Sequence, residues 1–247
     1  MSENHTYRQQ LSDLGLCRGD VVLVHSSMKA MRTERTPEEV IGDMQAVISE
    51  EGTLLMPALT YENVTPENPV FDSELTQPCI GLLPETFWRM PDVVRSVNPT
   101  HSVCAWGNLA HTLTVGHRMD NTAVGVHSPF MLLPCYKGKL LFIGDVLNAC
   151  TFMHGVEEIV KPPYIRPAAE RCYIVNGESR KYVMGDAFGW GSEFQRIGEI
   201  LEEPDIRRGK IGEANAFLID ARALLAAALL KMRADQYAFV TDISKWI

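Results

Sequence analysis

The sequence predicts an α/β fold: one domain over residues 1–247, with a mixed, largely buried central sheet flanked by helices, plus a small β-hairpin and a helical C-terminal elaboration. Three observations predict it. Continuous apolar runs at residues 21–24, 53–57 and 139–144 have the composition of strands covered on both faces. A strong helix signal separates the first two, which is the spacing of a βαβ unit. No internal repeat, low-complexity segment or clear linker divides the chain.

Each element follows in order. Residues 4–15 read as a short helix with His5, Tyr7, Leu11 and Leu14 as its apolar or semi-apolar positions and Gly15 as its stop. Arg18-Gly19-Asp20 turns into the first strand, which ends in His25-Ser26-Ser27. Small hydroxyl residues after a buried strand can offer donors to a phosphate or an acyl oxygen; a plain polar turn is the alternative. Thr36-Pro37-Glu38-Glu39 opens a helix, with Thr36 as N-cap, Pro37 at N1 and Glu39 closing a capping box. Val40, Ile41, Met44, Val47 and Ile48 form its apolar face. After the second strand, residues 58–80 form a long, polar, Pro-rich loop, and long loops inside compact domains are often functional. Tyr61, Glu62, Asn63 and Thr76 are its candidates to line a site.

Further along, residues 82–90 and 109–115 read as helices and 103–107 as a strand. Ser128-Pro129 opens another helix. After the third apolar strand and a loop over residues 145–150, Thr151 is the expected cap of a helix carrying His154 and Glu157. Residues 171–175 and 179–184 form a hairpin around Asn176-Gly177. The end of the chain reads as a helix at 194–201, a basic loop at 206–210, a strand at 214–220, and an Ala/Leu-rich helix capped by Asp220 and running to Arg233. This last part is expected to be peripheral.

Composition excludes several functions. A net charge of −8 argues against nucleic acid as a partner and is compatible with a cationic substrate. No apolar run is long enough to cross a membrane, and the N-terminus lacks a signal-peptide pattern, so no membrane partner and a cytoplasmic location are expected. The six cysteines are scattered without a Cys-x-x-Cys pair, which suggests neither a zinc site nor a disulfide framework.

His154 and Glu157 carry the chemistry. Three residues apart on a helix, they share a face. A carboxylate beside an imidazole fixes its tautomer and raises its basicity, as a general base requires. Their position just past a strand end is where open α/β sheets place ligands. A core histidine with a solvated glutamate is the competing reading of this pair.

Four ordered blocks carry a resemblance to a known family: Val24-His25-Ser26-Ser27 with residues 51–57 following; Arg95-Ser96-x-Asn98-Pro99-x-x-Ser102; Gly125-x-x-Ser128-Pro129-Phe130; and Thr151-x-x-His154-x-x-Glu157. Together with residues 207–212 they resemble the aminoglycoside 3-N-acetyltransferase family, acetyl-coenzyme A enzymes without the common GNAT fold. The resemblance implies acetyl transfer to an amine, typically the 3-amino group of a 2-deoxystreptamine aminoglycoside, with acetyl-coenzyme A as co-substrate and no metal. By the same resemblance, His154 is the general base and Glu157 orients it. His25, Ser26, Ser27, Arg95, Ser96 and Ser102 are expected on the cofactor, the Ser26-Ser27 and Arg95-Ser96 blocks offering oxyanion donors; Arg95 either pairs a phosphate or sits in a structural ion pair. Tyr61, Glu62 and Asp145 are expected on the substrate. The sequence leaves the oligomeric state open, a homodimer included.

This chain departs from the family pattern at four places. Asn98 stands where the family usually has His. Asp145-Val146 replaces a small, Gly-bearing pair, and Cys150 stands where Asn is frequent. Arg35-Thr36-Pro37 replaces a Gly-Gly helix start near the expected cofactor entrance. Three further readings are open: a metal-dependent hydrolase using the scattered histidines with Asp145 and Glu157, a Cys150 nucleophile with His154 as base, and a family member that binds coenzyme A without acetylating.

Overall fold

Period-two burial decides the architecture. The computed structural model describes residues 6–166, 170–185, 187 and 189–244. Helix α1 (Tyr7–Leu14) is capped by Thr6 and buries Leu11 and Leu14. Strand β1 (Val21–Ser26) leads through the Ser27 cap into the one-turn helix α2 (Met28–Met31). Helix α3 (Pro37–Ile48) opens on the expected capping box, with Thr36 and Glu39 each accepting from the other's backbone N–H. Strand β2 (Thr53–Pro57) is buried throughout. The following loop contains a short strand, β3 (Val70–Phe71), and leads to α4 (Leu82–Trp88), β4 (Val94–Arg95), β5 (Val103–Gly107) and α5 (Ala110–Thr114). Then come α6 (Pro129–Leu132), begun by Ser128 and Pro129 as expected, β6 (Lys139–Ile143) and α7 (Phe152–Val160). Strands β7 (Glu170–Val175) and β8 (Glu178–Val183) are the hairpin; Asn176 and Gly177 both have positive φ, as a type I′ turn requires. The chain ends with β9 (Trp190–Ser192), β10 (Ile206–Ile211), β11 (Ala214–Asp220), α8 (Ala221–Ala234) and β12 (Val240–Asp242).

The main sheet has seven strands in the order β10-β11-β6-β1-β2-β5-β4. Its centre, β6-β1-β2, is parallel, and β11 and β5 flank that centre antiparallel. The sheet is therefore mixed, as predicted. Alternate residues face opposite layers. Leu23, Leu55, Leu140 and Phe142 pack with Phe130, Phe152, Val156 and Leu224 on one side. Val22, Val24, Leu54, Met56 and Leu141 pack with Leu11, Ile41, Met44 and Phe87 on the other. The hairpin forms a small second sheet with β3 over a core of Phe71, Tyr173, Val175 and Tyr182.

Four local expectations are corrected. Thr151 has helical backbone angles and accepts no hydrogen bond from the first turn of α7; its hydroxyl instead donates to the Ala149 carbonyl. Residues 206–210 are not a loop but most of the edge strand β10, whose exposed Arg207, Arg208 and Lys210 are the usual protection of a sheet edge. The helical turn after β9 is a 3-10 segment over Phe194–Glu199. The C-terminal elaboration also enters the centre of the fold: β11 pairs with β6, and Phe194, Ile197, Leu224 and Met232 join the larger core.

Strand direction positions the site. The C-terminal ends of β6, β1 and β2 and the N-terminal ends of the antiparallel β5 and β11 all reach one rim of the sheet. There, Gly144 turns the chain out of β6 with φ 102°, and a side chain at this position would press on Ser27 and Ala30.

Candidate active site

A cavity of about 470 Å³ opens at this rim. Its walls are His25 and Ser26 from β1, Leu59 and Tyr61 after β2, His101 before β5, residues 148–151, His154 on α7, and Phe194. Among the described residues, the lining contains no Asp, Glu, Lys or Arg.

His154 is two-fifths exposed, and its Nδ1 lies 2.7 Å from Glu157 Oε2. Glu157 is 5% exposed, so its carboxylate needs partners. It has two: His154 on one oxygen and the Tyr164 hydroxyl, donating at 2.8 Å, on the other. Burial, and then the Glu157 charge, push the Tyr164 phenol up, which keeps it a donor. A carboxylate can only accept, so Nδ1 carries the hydrogen and Nε2 is the basic nitrogen. Phe194 packs its ring edge-to-face against His154 with centroids 5.1 Å apart.

His101 lines the cavity beside His25 and His154; the sequence places it only among the scattered histidines of the hydrolase reading. Its ring meets that of His154 edge-to-face with centroids 6.2 Å apart, and Tyr61 tilts against its other neighbourhood at 6.3 Å. Its Nδ1 is 2.8 Å from Thr100 Oγ1. Burial, reinforced by His154 and His117, pushes its imidazole down to about 3. Asn98 explains the backbone here: its side-chain oxygen accepts from the N–H groups of Thr100 and His101, and its amide donates to the Thr122 carbonyl. Asn98 therefore shapes the turn that presents His101.

The structure separates the residues expected on the cofactor. His25 and Ser26 line the main cavity, and Ser27 lines an adjoining hollow of about 540 Å³ with Lys29, Arg32, Asp145 and Asn215. Arg95, Ser96 and Ser102 do not reach either space. Arg95 donates to Ser102 Oγ and to the carbonyls of Ala58, Thr76 and Ser73, between the rings of Phe71 and Trp88. Ser96 is buried on His117, and Ser102 donates to the Ala58 carbonyl. The backbone N–H groups of Ser27 and Ser96 already donate to Ile143 and Val103, which removes them as oxyanion donors. Among the expected substrate residues, Tyr61 lines the cavity, while Asp145 lies on the adjoining hollow and Glu62 is exposed outside both.

One competing chemistry also loses its footing. Cys150 lines the cavity, but burial pushes its thiol up to about 12, so it stays protonated and a poor nucleophile. Among the described residues, no three His, Cys, Asp or Glu side chains are grouped to hold a metal ion. No helix among them is long and apolar enough to cross a membrane.

The buried histidines make stability depend on pH. His25, stacked on Phe142 with its Nε2 unpartnered, and His117, bonded to Ser96, are both held neutral by burial down to about 3. The unfolded chain binds protons on them near 6.5 while the folded chain does not. Their stabilising contribution is complete above that value and is lost as pH falls from about 6.5 toward 3. Urea unfolding at pH 5.5 is expected to show on the order of 1 kcal/mol less stability per histidine than at pH 7.5. Burial raises Glu158, which works in the opposite direction above its usual range. Equal stability at the two pH values would mean that these imidazoles ionise in the folded state.

The family described as aminoglycoside 3-N-acetyltransferase matches residues 23–233 of this chain. Aminoglycoside N(3)-acetyltransferase VII of Streptomyces paromomycinus is 30% identical, over 87% of this chain and 85% of its own. Aminoglycoside N(3)-acetyltransferase III of Serratia marcescens is 33% identical, over 87% of this chain and 91% of its own. Among solved structures, a mutant of aminoglycoside acetyltransferase AAC(3)-IVa in complex with a gentamicin superposes with a TM-score of 0.83 at 27% identity, covering 97% of this chain and 93% of that one. AAC-IIIb in a binary complex with CoASH superposes at 0.80 and 27% identity, covering 92% and 95%. The match in sequence extends over the strands, the cavity wall and α7, and the chain belongs to the aminoglycoside 3-N-acetyltransferase family.

Proposed function

We propose that this protein acetylates an aminoglycoside, at the 3-amino group of its 2-deoxystreptamine ring, using acetyl-coenzyme A. The observation that carries the reading is the His154-Glu157-Tyr164 chain, which presents an imidazole base to a cavity at the strand ends of the family's fold. Relatives with this activity in their names, a gentamicin-bound structure and a CoASH-bound structure support it. The catalytic unit is the single domain of residues 1–247, and the six free cysteines suit a reducing cytoplasm.

The residues suit the donor. The apolar walls of the main cavity fit an acyl-pantetheine arm, and the adjoining hollow offers Lys29 and Arg32 as cations for phosphates. His25 and Ser26 line the main cavity, and Ser27, the next residue, lines the hollow. In the reaction, His154 Nε2 takes a proton from the acceptor amine as its nitrogen attacks the thioester carbonyl. The C–N bond forms, the tetrahedral intermediate collapses, the C–S bond breaks, and the imidazolium returns the proton to the thiolate. Glu157 stabilises the imidazolium, and Tyr164 holds Glu157 in place.

Thiol release from acetyl-coenzyme A in the presence of 2-deoxystreptamine aminoglycosides tests this directly, with the acetylation site located by NMR of the product. Acetylation at the 3-amino group is the expected result. Thiol release only with other amines would move the substrate, and coenzyme A binding without any transfer would end the enzymatic reading.

A further inference from the structure

We propose that His101 is a second amine-binding residue, which holds the acceptor's nitrogen across from His154 and aims its lone pair at the thioester. This deepens the reading above and rests on it. Three features carry it. First, among the described residues the cavity lining holds no carboxylate, and the nearest anion to His154, Glu157, is already bonded behind it. The described side chains that can accept from an amine there are neutral. Second, of the other two imidazoles lining the cavity, His25 is stacked on Phe142, whereas the ring of His101 meets that of His154 with centroids 6.2 Å apart. A primary amine that donates one N–H to each of two acceptors at ordinary hydrogen-bond lengths needs those acceptors roughly 5 Å apart. Third, the ring is held from behind. The Thr100 hydroxyl donates to Met184 Sδ at 3.3 Å, which leaves its oxygen to accept from His101 Nδ1–H and makes Nε2 an acceptor. Asn98 fixes the backbone of both residues, and Tyr61 limits the ring on the open side.

The chemistry follows. With one N–H on His154 and one on His101, the third direction at nitrogen is the lone pair, and two contacts fix where it points. An ammonium can donate to both imidazoles as well, but its third N–H then occupies the direction of the lone pair, so attack requires that proton to leave first. As the new bond forms, His154 takes its proton and His101 keeps its own contact, so the two imidazoles have different roles. His101 binds and aims; His154 is the base.

The test is steady-state kinetics of His101→Phe and His101→Gln with an aminoglycoside that the wild-type protein acetylates, together with calorimetric binding of coenzyme A. Phe keeps the ring and removes both nitrogens. Gln places an amide oxygen near the reach of Nε2. For His101→Phe, kcat/KM for the amine is expected to fall about 10–100-fold, mainly through KM, with coenzyme A affinity unchanged. His101→Gln is expected to recover most of the loss. Unchanged kinetics in His101→Phe, or a loss that Gln does not recover while coenzyme A affinity falls in parallel, would overturn the assignment in favour of packing. A protein that folds, binds coenzyme A and acetylates normally without His101 would leave the proposed function standing and remove only this inference. A wild-type protein that acetylates no amine would remove both.

Discussion

His154→Ala is expected to lower kcat for acetyl transfer about 10²–10⁴-fold, the usual contribution of a general base. The structure gives this number its direction. An aminoglycoside amine is mostly protonated at neutral pH, and among the described lining residues His154 is the imidazole backed by a carboxylate. His154 is two-fifths exposed, but His154→Ala removes one of the two partners of the buried Glu157 carboxylate, so a modest fall in the unfolding midpoint is expected with the fold kept. Coenzyme A affinity is also expected to survive. Glu157→Gln sharpens the test. A glutamine can turn its amide N–H toward Nδ1, which forces the hydrogen onto Nε2 and presents the wrong tautomer to the substrate. A loss approaching that of His154→Ala is expected, although the change removes only one charge and no volume. Turnover that persists at the wild-type rate in His154→Ala would show that the base lies elsewhere, and the mechanism would fail with it.

Much of this site could be read in the sequence because its logic is local. His154 and Glu157 are three apart on one helix, and helical geometry alone brings them together. The capping box at Thr36 and the turn at Asn176-Gly177 are equally local and appear as expected. The buried strands could also be read, because a run such as Leu140-Leu141-Phe142-Ile143 has no polar face to expose. What could not be read depends on pairings distant in the chain. Tyr164 lies past the end of α7, where no periodicity connects it to Glu157. Phe194 reaches the cavity only because the C-terminal segment folds back across the rim. His101 enters because β5 runs antiparallel to β2, which brings its start to the same edge as the ends of β1 and β6; the sequence of β5 does not state its direction. Residues 206–210 looked like a loop because their charges are exposed, and an edge strand has the same pattern.

Arg95 shows the same lesson from the opposite side, and its replacement is expected to have the largest effect on stability. An arginine in a polar, motif-like block near a cofactor entrance reads naturally as a phosphate ligand. Here its guanidinium instead ties the loop after β2 to β5: it donates to Ala58 at 2.9 Å, to Thr76 at 2.5 Å and to Ser102 at 2.9 Å. Burial pulls it down to about 10, which still leaves it charged at neutral pH, and the carbonyl oxygens take the place of water around it. Arg95→Met keeps most of the volume and removes every donor. The Ala58 carbonyl retains the Ser102 hydroxyl, but Thr76 and the loop around it lose their anchor. A loss of about 2–4 kcal/mol is expected in urea unfolding, the scale for removing several hydrogen bonds to a charged donor and leaving carbonyl acceptors unpaired. Arg95→Lys is expected to recover little, since one ammonium cannot reach three diverging acceptors as a planar fork does. A phosphate ligand predicts the reverse: weaker coenzyme A binding with stability intact. Unfolding and calorimetric titration of the same variant therefore separate the two roles. The geometry requires that stability fall first, with any loss of coenzyme A affinity following from the displaced Leu59–Tyr61 wall of the cavity rather than from a missing ion pair.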